Sequence, residues 1–181
     1  CIEPAKRTFS CLEKNMSIVE KKLLFNFALG ENNSNKKIYI DNSNKGNASL
    51  IKSMMNTSKH NSYQTEEIRI KSVNDFFLEI KSQITDQPLI IKIDTQLYDE
   101  LIFSLLPEGI IKNTHMVCYE FTHLDKIQGP EFSIEMFTRN LDYFNHFWSE
   151  DLGQLTKEEL IKMCSRNTDI KFIETDIYLI K

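Results

Sequence analysis

Short apolar runs of strand length alternate with amphipathic segments along most of the chain. The clearest runs cover residues 89–93 and 114–121, and they end at or near the carboxylates Asp94 and Glu120. Nearly continuous apolar runs of this length are typical of strands buried on both faces, as in a parallel sheet. The alternation therefore predicts an α/β fold in which helices cover both faces of a mainly parallel sheet.

The remaining elements follow from the periodicity of apolar residues. Residues 170–180 are apolar on both sides of the polar pair Thr175 and Asp176, which predicts an antiparallel terminal hairpin. Three strands, at residues 23–29, 89–93 and 115–119, are expected to lie in one sheet. Apolar residues at helical spacing predict helices over residues 5–16, 73–84, 97–105, 134–148 and 155–164.

A polar stretch, residues 31–64, interrupts this pattern. It is rich in Asn, Ser and Lys, and period-two alternation at residues 37–41 and 66–73 predicts a pair of strands around it. Long polar stretches between paired strands are usually functional or mobile. We expect residues 31–64 to be a mobile insertion beside the ligand crevice of a single domain over residues 1–181.

Composition and charge argue against several classes of protein. With 181 residues, 41% of them hydrophobic and 27% charged, the chain is long enough for one globular domain with an apolar core. A net charge of −4 and a pI of about 5.6 argue against binding to nucleic acid or to an anionic membrane. No apolar run approaches the length of about 20 residues that spans a bilayer.

The four cysteines, Cys1, Cys11, Cys118 and Cys164, are scattered along the chain. Their spacing fits neither a zinc site nor a redox pair, and no cluster of His, Cys and carboxylate residues suggests a bound metal. Buried, reduced thiols are the expected state, which indicates a cytoplasmic location.

Ligands of open α/β sheets bind outside the carboxyl ends of the strands, so the polar residues there are the candidate site residues. Glu3 could accept hydrogen bonds from the hydroxyl groups of a ribose, or it could be a first-turn carboxylate that the helix dipole favours. Asp94 could cap the next helix or orient a substrate hydroxyl. For both residues the two alternatives remain open.

Glu120 and His123 follow the second apolar run. Because an unpaired charge inside an apolar run is costly, Glu120 either faces the crevice or pairs with a neighbour such as Lys92. His123 is expected in the loop after Glu120, where it could serve as a general base or simply be solvated.

The order of motifs over residues 1–124 resembles that of the FkbM family of S-adenosylmethionine-dependent methyltransferases. The matching segments are the turn Cys1-Ile2-Glu3-Pro4, the helix with Phe9, Leu12 and Asn15, the strand end at residues 26–30, the pair Ser49-Leu50, the segment at residues 70–76, the Leu-Ile-Ile-Lys-Ile-Asp run at residues 89–94, and Cys118-Tyr119-Glu120.

The resemblance implies a Rossmann-like class I methyltransferase fold and transfer of a methyl group from S-adenosylmethionine to a hydroxyl of a sugar or natural product. Glu3 would hold the ribose of the cofactor, and Ala28 with Leu29 would line the adenine slot. A base near the acceptor, which would be Asp94, Glu120 or His123, would raise the nucleophilicity of its hydroxyl. No metal is implied.

Two departures from the family pattern stand out. The family continues after the Lys-Ile-Asp run with Val-Glu-Gly-x-Glu, where this chain has Thr95-Gln96-Leu97-Tyr98-Asp99, so Gln96 replaces an acid and Leu97 a glycine. The family's first strand and its glycine-rich cofactor-binding turn have no counterpart in the sequence. We therefore expect the carboxyl-terminal part of a methyltransferase domain, completed by an amino-terminal segment or a partner chain.

Two other functions remain open. A degenerate methyltransferase-like domain that acts as a binding or scaffolding module would also have an altered corner at Gln96 and Leu97. A dinucleotide-dependent enzyme is the weaker choice, because it gives no role to the Lys-Ile-Asp run or to the strand end at residues 26–30.

Overall fold

The computed structural model describes residues 1–43, 48–57, 62–84, 87–124, 127–165 and 172–181. They form two compact units, Cys1–Ser72 and Val73–Lys181, within the range that the sequence predicts as one domain. The chain has an α/β fold with mixed sheets. Across the described ranges, no helix combines the length and the apolar character needed to cross a membrane.

The first unit is built around a four-stranded sheet. The strand order is β1-β4-β2-β3, with β1 parallel to β4 and the other neighbours antiparallel. The elements, in chain order, are α1 (Lys6–Asn15), a 3-10 helix (Met16–Ile18), β1 (Ala28–Gly30), β2 (Ser34–Asp41), β3 (Ala48–Ser49), a second 3-10 helix (Lys52–Thr57) and β4 (Tyr63–Ser72).

The core of this unit follows from alternation in β2 and β4. Ile38 and Ile40 of β2 are buried with Ile68 and Ile70 of β4, and Ala5 completes the cluster. The predicted strand pair around the polar stretch is therefore confirmed. The polar stretch itself contains β2, β3 and the second 3-10 helix, and its mobility stays a prediction.

The second unit is built around a five-stranded sheet of order β5-β6-β9-β7-β8, in which β5 and β6 are parallel and the other neighbours antiparallel. The elements are α2 (Val73–Ile80), β5 (Leu89–Ile93), α3 (Asp99–Ser104), α4 (Glu108–Asn113), β6 (Thr114–Leu124), α5 (Ile134–Leu141), β7 (His146–Ser149), β8 (Gly153–Leu155), α6 (Lys157–Cys164) and β9 (Phe172–Ile180).

Aromatic side chains join helices of this unit to one face of the sheet. Phe103 of α3 stacks on Tyr119 of β6, with 6.0 Å between ring centroids, and meets Phe137 of α5 edge-on at 5.1 Å. The buried Asn140 side chain donates to the carbonyl oxygens of Phe103 and Ser104, at 2.8 and 3.2 Å. These contacts hold α3, and therefore the turn before it, against the sheet.

The prediction of three strands in one sheet is wrong. Of the predicted strand at residues 23–29, only the end pairs regularly: Phe25 makes an isolated parallel bridge to Ile2, and β1 begins at Ala28. That strand pairs with β4 in the first unit, whereas β5 and β6 lie together in the second. Apolar periodicity predicts that a strand is buried but not which strand pairs with it.

The predicted terminal hairpin and the predominance of parallel pairing are also wrong. Residues 172–180 form one strand, β9, which runs antiparallel between β6 and β7. The Thr175–Asp176 pair does not turn the chain, because alternation continues through it. Thr175 is buried with its hydroxyl 3.0 Å from that of Ser149, while Asp176 lies on the opposite face.

The predicted helix over residues 134–148 is wrong in its second half. Helix α5 ends at Leu141, and the chain returns as strand β7. Phe144 and Trp148 are spaced as on a helix, but in β7 the buried Phe147 alternates with the exposed Trp148. A spacing of four residues fits both the helical period of about 3.6 residues and the strand period of about 2 residues. The sequence pattern therefore misassigned this segment.

Gly30→Ala should destabilise the protein by about 1–3 kcal/mol, the usual cost of an extra methyl in a packed core. An added Cβ would lie 2.8 Å from Cγ2 of the buried Ile70. Urea denaturation measures the change. Gly109→Ala in α4 is the matched control, since its Cβ meets nothing within 4 Å. We expect that variant to be up to about 1 kcal/mol more stable than the wild type. A Gly30→Ala variant as stable as the wild type would contradict the described packing around Ile70.

Candidate active site

Three carboxylates lie side by side where β5 ends beside β6 and β9. Ile93 of β5 is level with Tyr119 of β6, so Asp94 follows beside Glu120. Glu120 in turn lies opposite Asp176 of β9. Together with Glu174, which raises the pKa of Glu120, these three residues are called the acidic edge below. The parallel pairing of β5 and β6 thus brings together two residues that the sequence predicts at strand ends.

Lys92 is the cation that the structure pairs with this edge. Its Nζ lies 3.8 Å from Oδ2 of Asp94 and 4.0 Å from Oδ2 of Asp176. Partial burial acts to lower the pKa of Lys92, but the carboxylates of Asp176 and Asp94 raise it above its ordinary value. Of the two alternatives for Glu120, pairing with Lys92 is not found within the described ranges, and the acidic edge keeps a net negative charge.

Glu120 is half-buried and titrates near neutral pH. Burial raises the pKa of Glu120 to about 7, and the neighbouring charges of Asp94 and Glu174 add to the shift. The side-chain amide of Gln96 donates to Oε2 of Glu120 at 3.3 Å. A carboxyl group with this pKa can accept a proton from a substrate hydroxyl and release it at neutral pH.

The turn between β5 and α3 has an unusual backbone. Gln96 has a φ of 51° and Leu97 a φ of 76°, both in the left-handed region that favours glycine. Leu97 is nevertheless buried, with 3% of its surface exposed. A bulky residue in this conformation is strained, and such strain persists only where the surrounding structure enforces it, often at functional sites.

Asp99 follows this turn and is a site residue that sequence reasoning missed. It is fully buried, and its Oδ1 accepts a hydrogen bond from the Thr95 backbone N–H at 3.1 Å. Its Oδ2 is buried without a hydrogen-bond partner among the described residues. Burial raises the pKa of Asp99 to about 6, against the effect of the Thr95 bonds and with a contribution from Asp94. The final acid of the motif at residues 95–99 was the available signal.

His123 does not join the acidic edge. The prediction of a loop after Glu120 is wrong, because β6 continues to Leu124 through antiparallel pairing that places His123 opposite Ile173 of β9. His123 is an odd number of residues from Glu120 in one strand, so it projects from the other face, the same face as Tyr119. Its role as a base stays a prediction.

The predicted cofactor residues lie in the first unit. Oε1 of Glu3 accepts a hydrogen bond from the Ala5 backbone N–H at 2.7 Å, just before α1. Burial raises the pKa of Glu3; the bond from Ala5 opposes the shift, and the charge of Glu66 adds to it. Ala28 and Leu29 are half-buried in β1, parallel to residues 70 and 71 of β4. Their ribose and adenine roles stay predictions.

Neither metal ligation nor a known relative identifies the site. Within the described ranges, no group of three or more His, Cys, Asp or Glu side chains is arranged to hold a metal ion. Comparisons with protein-family models, curated proteins and solved structures find no match for this chain. The local geometry of the described residues is therefore the basis for inferring a function.

At position 97 we expect glycine to be more stable than alanine, by about 1 kcal/mol, because a left-handed backbone costs a residue with a Cβ about 1–2 kcal/mol. Urea denaturation of Leu97→Gly and Leu97→Ala compares two variants that lose a similar buried volume. The same two substitutions at Leu101, inside α3, are the control. There the order should reverse, with alanine about 1 kcal/mol more stable. If the alanine variant is more stable than the glycine variant at both positions, the turn is not strained.

Glu120→Gln should stabilise the protein at pH 8 by about 1 kcal/mol, a figure reduced for partial solvent exposure. The pKa of Glu120 is raised to about 7 in the folded state. The wild type therefore becomes less stable as pH rises through 7. The difference in the free energy of unfolding between the variant and the wild type should shrink toward pH 4.5. Thermal unfolding from pH 4.5 to 8.5 measures it. Glu13→Gln, exposed on α1, is the control. A pH-independent difference for Glu120→Gln would refute the assignment.

Proposed function

We propose that this chain is part of an S-adenosylmethionine-dependent methyltransferase with a class I fold that methylates a hydroxyl of a sugar or natural product. The observation that carries the proposal is the turn at residues 95–99. Leu97 stands where the FkbM-like motif has a glycine, and its φ of 76° is one that glycine adopts without strain. Asp99 stands where the motif ends in an acid. The backbone thus has a conformation suited to the motif despite the changed residue.

The strand directions of the second unit add support. The resemblance implies a parallel sheet that closes on an antiparallel element at the carboxyl terminus. Strands β5 and β6 are parallel, and β9 runs against both β6 and β7, so β7 has the direction of β6. The edge strand β8 runs against β7, so β8 and β9 are both reversed relative to β5, β6 and β7. The parallel β5–β6 pair and the antiparallel carboxyl-terminal strand support the proposal, although β9 is not a hairpin.

The cofactor, when bound, supplies an activated methyl group on a positively charged sulfur that leaves readily. Glu3 is suited to hold its ribose: Oε1 is engaged by Ala5, and Oε2 makes no hydrogen bond to another described residue and can accept one from a hydroxyl. Ala28 and Leu29 would supply apolar contacts to the adenine. No described group of side chains calls for a metal in this role.

The acidic edge would act on the acceptor. Glu120, with a pKa of about 7, would accept the proton that the acceptor hydroxyl loses on methylation. Gln96 keeps the Glu120 carboxyl in place through its hydrogen bond of 3.3 Å. Asp94, paired with Lys92, can accept a hydrogen bond from a second hydroxyl and so orient a sugar-like acceptor.

The proposal requires a glycine-rich turn that this chain does not contain, and we propose that an amino-terminal segment or a partner chain supplies it. Strand β5 has β6 as its strand neighbour on one side and, among the described residues, no strand neighbour on the other. An open edge of this kind can receive another strand. The reducing, cytoplasmic location inferred from the free thiols belongs to the same proposal.

A scaffolding module without catalysis is the alternative. The observation that favours it is the same turn, where an amide at Gln96 replaces an acid and a strained Leu97 replaces a glycine. A domain that had lost methyl transfer could retain the backbone of the turn while its residues diverged. Cofactor binding distinguishes the two functions.

Calorimetric titration of S-adenosylmethionine into the full-length protein should detect binding that Glu3→Ala weakens about ten- to a hundred-fold, since a charge-assisted hydrogen bond contributes about 1.5–3 kcal/mol. Glu13→Ala, on the exposed side of α1, is the matched control and should leave affinity unchanged. If Glu3→Ala lowers thermal stability but leaves the affinity for the cofactor unchanged, Glu3 only stabilises the start of α1 and does not bind the ribose. No binding to the wild type at millimolar ligand would refute the methyltransferase and leave the scaffold.

A further inference from the structure

One face of the five-stranded sheet carries large apolar side chains in register across its strands. Ile90, Met116 and Ile180 occupy one row through β5, β6 and β9. Lys92 of β5 begins the next row, in which Cys118, Tyr178 and Trp148 follow onto β7. The six apolar and aromatic residues of the two rows are called the open face. The acidic edge follows on the same face, because Glu120 lies two residues beyond Cys118.

The two faces of this sheet differ sharply in exposure. On the face that packs against helices, Val117, Tyr119 and Leu179 are 0% exposed. On the open face, Ile90 is 70% exposed, Trp148 49% and Ile180 39%, whereas Cys118 is 6% exposed. A parallel strand pair with nearly continuous apolar sequence, such as β5 and β6, is normally covered on both faces. Here one side remains in water.

Exposed apolar residues in register form a continuous patch, unlike the scattered exposed apolar residues of ordinary surfaces. Patches of this kind usually mark interaction sites. The regular complement to a sheet face is an α-helix, whose apolar stripe fits across the strands. The shape of the open face therefore favours a helix as its occupant.

Charge identifies the chemistry of that helix. The acidic edge adjoins one end of the open face, with four carboxyl groups, Asp94, Glu120, Glu174 and Asp176, of which Asp94 and Asp176 pair with Lys92. A helix that places its amino terminus there brings the positive end of its dipole to these carboxylates, and Lys or Arg side chains in its first turns would pair with them. A second copy of this chain fits less well, because its open face has the same acidic edge and its net charge is −4.

We propose that the open face binds an amphipathic α-helix of a separate polypeptide, with an apolar stripe over Ile90, Ile180 and Trp148 and basic residues in its first turns over the acidic edge. The observations behind this binding do not depend on methyl transfer. In a catalytic domain, a helix bound over the acidic edge would compete with the acceptor for Asp94 and Glu120.

Trp148 makes the proposal directly testable, since it is the only tryptophan of the chain and lies on the open face. The probe is a synthetic helical peptide of about 18 residues with leucines at helical spacing and lysines in its first two turns. Two matched peptides have glutamates in place of the lysines, or the same composition with scattered leucines. The lysine peptide should shift Trp148 emission to the blue and bind about tenfold more tightly than either matched peptide.

Variants assign the contact to the face. Ile90→Ser and Ile180→Ser should each weaken binding of the lysine peptide about tenfold, while Ile18→Ser, at an 88% exposed position of the first unit, should not. Asp176→Asn should reduce the preference for lysine over glutamate. Two results would overturn the proposal: equal affinity for the lysine and glutamate peptides, or a Trp148 shift without peptide that follows dimerisation in sedimentation equilibrium, which would assign the face to a second copy.

Discussion

The left-handed turn at Gln96 and Leu97 is the constraint on which the candidate site depends. It takes the chain from the end of β5 into α3 within a few residues, and it leaves Asp99 buried with one oxygen that has no hydrogen-bond partner in the described part of the chain. The hydrogen bond from Gln96 to Glu120 starts from this turn, while the pairing of β5, β6 and β9 forms the acidic edge itself. The strain at Leu97 and the buried position of Asp99, where burial raises the pKa to about 6, are thus consequences of one backbone path.

Packing elsewhere in the second unit keeps the turn in place. The rings of Phe103, Tyr119 and Phe137 join α3 and α5 to the sheet, and Asn140 binds the carbonyl oxygens at the end of α3. A strained segment of a few residues can persist when both of its flanking elements are fixed in this way. The same covering of one sheet face leaves the other with exposed Ile90 and Trp148, so the site and the open face result from a single asymmetry in how the sheet is packed.

Much of the local structure was predictable from the sequence. Apolar runs give β5 as predicted, and the approximate positions of β6, α1 and α6, because burial alone produces those patterns. The sequence does not predict which strands pair or where a strand continues. β1 lies in a different sheet from β5, and Thr175 and Asp176, which were expected to turn the chain, lie inside β9. The sequence also predicts Asp94 and Glu120 as neighbours, whereas Asp99 and Asp176 join them only through the turn and the antiparallel strand.

The most direct test of the account is a pH titration of the Glu120 side-chain carboxyl by carbon-13 NMR in the full-length protein with S-adenosylmethionine or S-adenosylhomocysteine bound. The two ligands differ in a methyl group and in the positive charge on sulfur. If methyl transfer takes place at the acidic edge, the pKa of Glu120 should be lower with S-adenosylmethionine, because a nearby positive charge stabilises the carboxylate. The same pKa with both ligands would contradict a reaction centre beside Glu120.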